Sequence, residues 1–229
     1  GDRLPDPRQA RGDGLVAVGG DLSVERLIEA YRSGLFPWSD DPITWWSPEP
    51  RGVLEVGQMH VSRSLARTLR QTPYEVTFDK DFSGVIRACA EIPRSGVNST
   101  WISTGLLEAY ERLAQAGHAH SVECWQEGRL VGGVYGVCVG GLFAGESMFH
   151  RADDASKVAL VHLDRRLSAR GFALFDCQMV TPVTRAMGAV EISRTEYLNR
   201  LAQAVEQPSR WCCPSRVRGC SRRFQGIGS

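Results

Sequence analysis

SVECWQEGRLVGGVYGVCVGGLFAGESMF, Ser121 to Phe149, decides how this chain folds. Strand-forming residues fill three runs, Ser121 to Gln126, Leu130 to Val139 and Leu142 to Phe149. The dipeptides Glu127-Gly128 and Gly140-Gly141 fall between them at the length of tight hairpin turns. The spacing predicts an antiparallel meander. A helix of about 15 residues follows, opening near Asp153 or Asp154 and carrying Leu160, Leu163 and Leu167 on one face. Phe172 to Val180 then returns to a strand pattern.

Strand, strand, strand, helix, strand is the arrangement of the acetyltransferase-like (GNAT) fold, so an α+β domain of that kind is expected over residues 52–206. Working outward, a helix is expected from Thr104 to Ala116, with Ser103 as cap, Leu106, Leu107, Tyr110 and Leu113 as its apolar stripe and Gly117 as its stop. Another is expected from Ser62 to Arg70. A last one, Glu196 to Glu206, opens behind a Thr195 cap and buries Leu198, Leu201 and Val205. Near the start of the chain, Ser23 to Ser33 is a capped helix that closes before Gly34 and turns Leu27, Ile28 and Tyr31 inward. Beyond it, Phe36-Pro37-Trp38 and Trp45-Trp46-Ser47-Pro48-Glu49-Pro50-Arg51 put prolines among aromatics, which predicts a loop without regular elements. Residues 1–51 are accordingly read as a small N-terminal domain, with Trp45 and Trp46 packing it against the larger one. Residues 207–229 are read as an irregular, basic, cysteine-rich tail.

Composition narrows the class. With 42% hydrophobic and 23% charged residues the chain is an ordinary globular protein. No run approaches the roughly 18 uninterrupted apolar residues of a membrane span, and Gly1 to Arg11 carry charges and prolines where a signal peptide would be apolar. A cytoplasmic protein without membrane contact is the expectation. Cys89, Cys124, Cys138 and Cys177 stand singly among apolar neighbours, as buried thiols do in a reducing compartment. Cys212, Cys213 and Cys220 lack the paired spacing of a zinc site, so no metal is expected. The net charge of +1 conceals five arginines beyond Gln207 with no acid, so a polyanion would meet a local patch or the tail, not the whole surface.

Several side chains invite chemistry. On a strand, residues i and i+2 share a face, so in Phe175-Asp176-Cys177-Gln178-Met179 the carboxylate and the amide project together while Phe175, Cys177 and Met179 point into the core. The plain alternative is an Asp that caps a turn at a strand end. Glu146 ends a strand among Gly145, Ser147 and Met148, where a charge is costly to bury unless it meets a cation. That cation is either a ligand or an internal Arg such as Arg151. Arg63, Arg67 and Arg70 fall at i, i+4 and i+7 of one helix, a face that either grips phosphates or is simply solvated.

The strings Val18-Gly19-Gly20-Asp21-Leu22-Ser23, Gly34-Leu35-Phe36-Pro37-Trp38, Trp45 to Arg51, His60-Val61-Ser62-Arg63-Ser64, Thr100-Trp101-Ile102, Gly145-Glu146-Ser147-Met148-Phe149 and Asp176-Cys177-Gln178 occur in the order of one family. Across roughly residues 14 to 205 the chain resembles the leucyl/phenylalanyl-tRNA–protein transferases. The resemblance implies transfer of Leu, Phe or Met from an aminoacyl-tRNA to the N-terminal Arg or Lys of an acceptor protein, which marks it for degradation. It implies no cofactor, because the aminoacyl ester already stores the driving free energy. Asp176 and Gln178 become the proposed relay that orients the attacking amine and serves the oxyanion, and Glu146 the second carboxylate facing the acceptor. Val134, Phe143, Met148, Leu160 and Leu163 would line the pocket for the transferred side chain. Trp38 and Trp101 would stack on the terminal adenine, and Arg63, Arg67, Arg70 and Lys157 would meet the phosphates behind it. The chain departs from the family pattern at Thr181 and Val183, where Asn and His are usual, and at Asp154 and His150.

Two rival readings share these features. An acyl-CoA N-acetyltransferase of the same fold would hold a pyrophosphate in a glycine-bearing loop at a helix N-terminus. The corresponding loop, His150-Arg151-Ala152-Asp153-Asp154, has no Gly and two acids. A non-catalytic RNA-binding module would need the stacking residues and arginines but not Asp176 and Gln178.

Overall fold

The computed structural model describes residues 3–92 and 102–211; Trp101 and the tail cysteines Cys212, Cys213 and Cys220 lie outside the described residues. The chain runs through β1 (Leu15–Val18), α1 (Val24–Ser33), β2 (Phe36–Asp40), β3 (Ile43–Trp46), β4 (Arg51–Leu54), α2 (Arg63–Gln71), β5 (Glu75–Phe78), α3 (Phe82–Glu91) and α4 (Thr104–Gln115). It continues through β6 (Ala119–Gln126), β7 (Arg129–Val139), β8 (Leu142–His150), α5 (Ala155–Ala169), β9 (Leu174–Gln178), α6 (Pro182–Ala186), β10 (Val190–Ile192) and α7 (Arg194–Ala204).

The expected meander is present as β6, β7 and β8, antiparallel and joined at Glu127-Gly128 and Gly140-Gly141. Glu127 and Gly128 both take positive φ, 51° and 74°, as a tight hairpin turn requires. After α5 the chain returns as β9, parallel to β8, within a mixed α+β frame whose seven-stranded sheet has the order β10-β4-β9-β8-β7-β6-β5.

Elsewhere the observed elements differ from the expectations in instructive ways. The aromatic stretch expected to be a loop forms β2 and β3, which pair antiparallel and extend through β1 into a three-stranded sheet of order β1-β3-β2. Pro37 is tolerated because β2 is an edge strand, where a missing N–H need not interrupt the ladder. The last helix is capped by Ser193, whose hydroxyl accepts from the Glu196 N–H, so Thr195 lies inside α7 and is not its cap. Helix α3 has only a faint signal in the sequence, since Ser83-Gly84 weakens its propensity. Asp81 caps it through the Gly84 N–H, and burial of Val85, Ile86, Ala88 and Cys89 holds it.

Each face of the large sheet is covered. On one side α1, α3, α4, α7 and the small sheet enclose a core that includes Leu27, Tyr31, Trp45, Leu106, Tyr110, Tyr135 and Leu198. On the other, α5 packs on β6, β7 and β8 with α2 beside it, around Leu54, Val134, Phe143, Leu163 and Phe175. Trp45 is fully buried and its indole donates to the Gly19 carbonyl at 2.9 Å. The packed body continues past Glu206: Trp211 is 1% exposed, stacks on His120 and Phe143, and donates its indole N–H to Asp79 at 2.7 Å.

Candidate active site

Strands β8 and β9 run together only from the Leu142–Leu174 pair to the Ala144–Asp176 pair, and two bulges lie where they part. On β8, Ser147 faces Tyr135 while Gly145 faces Gly136, which leaves Glu146 as the extra residue of a bulge. On β9, Asp176 faces Val53 while Gln178 faces Gly52, which leaves Cys177 as the extra one. A bulge breaks the ladder and re-aims a side chain, and glycines opposite both bulges make the room. A Cβ at Gly136 would lie 2.3 Å from the Ala144 carbonyl oxygen, and one at Gly52 would lie 2.9 Å from backbone atoms of Met179 and Val180. Gln178 itself has φ +64°, a left-handed conformation uncommon for a residue with a side chain.

This geometry brings Glu146, Asp176 and Gln178 into one buried cluster. As expected, Asp176 and Gln178 lie on the face opposite Phe175. Met179 does not return to the core and is 50% exposed, because the left-handed turn at Gln178 ends the strand and its alternation. Asp176, 1% exposed, accepts from Arg51 Nε at 3.0 Å and the Gln178 N–H at 2.7 Å on Oδ1, and from Arg51 Nη2 at 2.7 Å and the Tyr197 hydroxyl at 2.9 Å on Oδ2. Arg51, also 1% exposed, reaches the Gly34 carbonyl and lies over the rings of Tyr197 and Phe36 at 4.1 and 4.9 Å. Burial works against its charge, but the Asp176 carboxylate beside it keeps Arg51 protonated.

Glu146 does not pair with Arg151, whose guanidinium reaches Glu91 and the Leu130 carbonyl instead. Its Oε1 accepts from the Tyr31 hydroxyl and from Gln178 Nε2 at 2.9 Å, and Tyr31 is in turn 2.6 Å from the Tyr110 hydroxyl. Among the described residues its buried Oε2 has no hydrogen-bond partner. Burial pushes the Glu146 carboxyl up to about 8; the hydrogen bonds from Tyr31 and Gln178 oppose that rise and the charge of Asp176 adds to it. Tyr31, Tyr110 and Tyr197 are all held well above the usual phenol range, first by burial and then by the neighbouring carboxylates.

The apolar residues expected to line a pocket meet on the other face. Val134 and Met148 are cross-strand partners, Phe143 packs edge-on against Phe175 with ring centres 5.5 Å apart, and Leu160 and Leu163 cover them from α5. Met148 is half-buried and the others are buried. Arg63, Arg67 and Arg70 are exposed along α2, which is tied to the start of α5 by Thr68 donating to Asp154 at 3.0 Å. Lys157, half-exposed, approaches the same Asp154 at 3.9 Å. Trp38 is half-buried against Trp46, ring centres 4.7 Å apart. The departures at Thr181 and Val183 fall in the start of α6, where Thr181 and Thr184 form a reciprocal cap.

Sequence reasoning gives Arg51, Tyr31, Tyr110 and Tyr197 no role in the site. The apolar stripes place Tyr31 and Tyr110 in the core and leave their hydroxyls without a task. The signal that could find them is a hydroxyl on an inward helix face, which needs a partner when buried.

With that geometry in view, two family models match: the leucyl/phenylalanyl-tRNA protein transferase model over residues 53–202 and the model of that enzyme's N-terminal domain over residues 20–49. The chain belongs to this transferase family. A leucyl/phenylalanyl-tRNA–protein transferase of Solidesulfovibrio magneticus is 54% identical over 95% of this chain and 90% of its own length. Those of Syntrophobacter fumaroxidans and Pseudomonas fluorescens are also 54% identical, over 89% and 86% of this chain and 88% of their own lengths. Within the transferase family's own segments, Tyr31 and Trp38 lie in the N-terminal match and Glu146, Asp176 and Gln178 in the larger one. Arg51 stands in the short gap between the two.

Proposed function

We propose that this chain transfers leucine, phenylalanine or methionine from an aminoacyl-tRNA to the N-terminal Arg or Lys of an acceptor protein, tagging it for degradation. The observation that carries the reading is the Glu146, Gln178 and Asp176 cluster at the point where β8 and β9 part, in a chain of this family. An amine attacking an ester must lose a proton while an oxyanion forms, and a carboxyl beside an amide N–H donor supplies both needs. Glu146 and Asp176 are the carboxylates of this cluster, and Gln178 the donor.

The transferred side chain enters among Val134, Phe143, Met148, Leu160 and Leu163. An apolar pocket separates side chains by only roughly 1–3 kcal/mol per methylene, which is why methionine is accepted beside leucine and phenylalanine. Trp38 and Trp101 stack on the terminal adenine, each stacking interaction worth on the order of 1–3 kcal/mol. Arg63, Arg67, Arg70 and Lys157 hold the phosphates behind it. The frame is GNAT-like in this reading, with residues 1–51 as an N-terminal domain, residues 52–206 as the catalytic one and residues 207–229 as an irregular tail. The reaction runs in the cytoplasm without a cofactor, on the free energy of the ester.

The test incubates the protein with tRNA charged with labelled leucine and peptides that begin with Arg, Lys or Ala. Label on the Arg and Lys peptides alone is expected. Label that stays on the tRNA while the protein is folded would remove the enzyme reading, and acetylation of the same peptides from acetyl-CoA would favour the rival.

A further inference from the structure

We infer that Glu146 takes the proton of the attacking α-amine at its Oε2, and that Asp176 acts one step removed, as a positioning residue held by Arg51 that fixes Gln178. This rests on the transfer activity proposed above and assigns its roles among the buried groups.

The two carboxylates differ in what they have left to offer. Both oxygens of Asp176 are taken twice over, by Arg51 Nε and the Gln178 N–H on one and by Arg51 Nη2 and the Tyr197 hydroxyl on the other, at 2.7 to 3.0 Å. An incoming amine would have to displace one of those donors from a carboxylate that is 1% exposed. What Asp176 does provide is the bond to the Gln178 N–H, which holds that residue at φ +64° and so points its amide at Glu146. Glu146 has the opposite accounting. Its Oε1 is taken by Tyr31 and Gln178, and its buried Oε2 has no partner among the described residues. A buried polar atom left unsatisfied costs stability and calls for a reason, of which a catalytic role is one, and a bulge re-aims its side chain. An amine N–H is the donor that would fill it.

The groups facing Glu146 suit a proton acceptor. Tyr31 on α1 donates to it with Tyr110 of α4 behind, Gln178 donates from β9, and the charges of Asp176 and Arg51 offset each other nearby. Burial holds its proton affinity at about 8, close to that of a peptide α-amine, about 7.7–8.0, so the proton moves between them at little cost. In the step, the amine nitrogen bonds to the ester carbonyl carbon, the carbonyl electron pair moves onto oxygen, and the N–H proton passes to Glu146 Oε2. Collapse breaks the bond to the ribose oxygen, which receives a proton from Glu146. The products are an amide, a free tRNA hydroxyl and Glu146 as it began.

The experiment follows single-turnover transfer of labelled leucine from charged tRNA to an Arg-starting peptide, with the wild-type protein as control for the activity itself. If the wild type fails to transfer, the functional reading falls; the role of Glu146 is decided by the variants. Glu146→Gln is expected to lower the rate at saturating peptide by about 100-fold or more, with the KM for the peptide within about threefold. Asp176→Asn, with folding checked by thermal unfolding, is expected to lose less than Glu146→Gln. Should Asp176→Asn not fold, the pH profile decides. The amine titrates in every variant, so the wild-type rate must rise more steeply through about pH 8 than that of Glu146→Gln. A large rise in peptide KM with little change in rate for Glu146→Gln, or identical pH profiles, would overturn the assignment and leave Glu146 as a holder of the acceptor's basic side chain.

Discussion

Arg51 shows what a buried charge demands of its surroundings. At 1% exposure its guanidinium is sustained by Asp176 through two hydrogen bonds, by the Gly34 carbonyl and by two aromatic faces. Removing one partner of such a pair strands the other, so Arg51→Met should lower the unfolding free energy by about 3–5 kcal/mol. Urea denaturation measures this, and a loss below about 1 kcal/mol would mean that Asp176 finds another cation or protonates freely. Glu146 behaves in the opposite sense. Its carboxyl titrates near 8 in the fold and near its ordinary range, about 4.3, when unfolded, so the folded state binds the extra proton and stability falls as pH rises through that window. Glu146→Gln removes the ionisation, and its advantage over the wild type should grow from about pH 5 to pH 8 by up to about 1.4 kcal/mol per pH unit. Stability curves for the two proteins that run parallel across the window would contradict it. Alternation along a strand makes the shared face of Asp176 and Gln178 legible in the sequence. What those residues touch is not, because Arg51 lies 125 positions from Asp176 and Tyr31 lies 115 from Glu146.

At the scale of elements, the site exists because two strands carry one residue too many. The bulges at Glu146 and Cys177 are invisible to a period-two reading, which is why the meander, α5 and β9 can be placed from sequence while the exposure of Met179 cannot. Gly52 is a sensitive point of the arrangement. A methyl there meets backbone of Met179 and Val180, not a yielding side chain, so Gly52→Ala should cost about 1–3 kcal/mol and shift Gln178. Thermal unfolding and the transfer assay should both register it; an unchanged rate would show that the position of Gln178 is not critical. Ser23, Ser62 and Ser103 mark α1, α2 and α4 as expected, but the cap expected at Thr195 for α7 is Ser193, which only the hydrogen bond to Glu196 reveals. Prolines mislead for β2 because a sequence does not say which strand will be at an edge.

Across the whole molecule, one sheet separates two environments, a polar cluster against α1, α4 and α7 and an apolar one against α5. The proposed reaction needs both, one for the amine and one for the transferred side chain. Trp211 closes the apolar side from beyond the last helix, a role that nothing in its surrounding cysteines and arginines announces. Trp211→Ala should cost about 3–5 kcal/mol, measured by denaturation. Among the described residues no helix is long and apolar enough to cross a membrane. In the proposed function the tRNA phosphates lie on the exposed face of α2, where Arg63, Arg67 and Arg70 stand. Replacing Arg63, Arg67 and Arg70 by Ala should reduce the salt dependence of tRNA binding by about 0.7 in logarithmic slope for each phosphate no longer neutralised, and an unchanged slope would place the phosphates elsewhere. The central claim is that both substrates meet where β8 and β9 part. Its most direct test is a crystal structure with a non-hydrolysable phenylalanyl-adenosine mimic. The mimic's aromatic ring should lie among Phe143, Met148 and Leu160, its carbonyl beside Gln178 and Glu146, and its adenine on Trp38; a mimic bound away from Glu146 and Gln178, with that cluster still closed, would contradict the account.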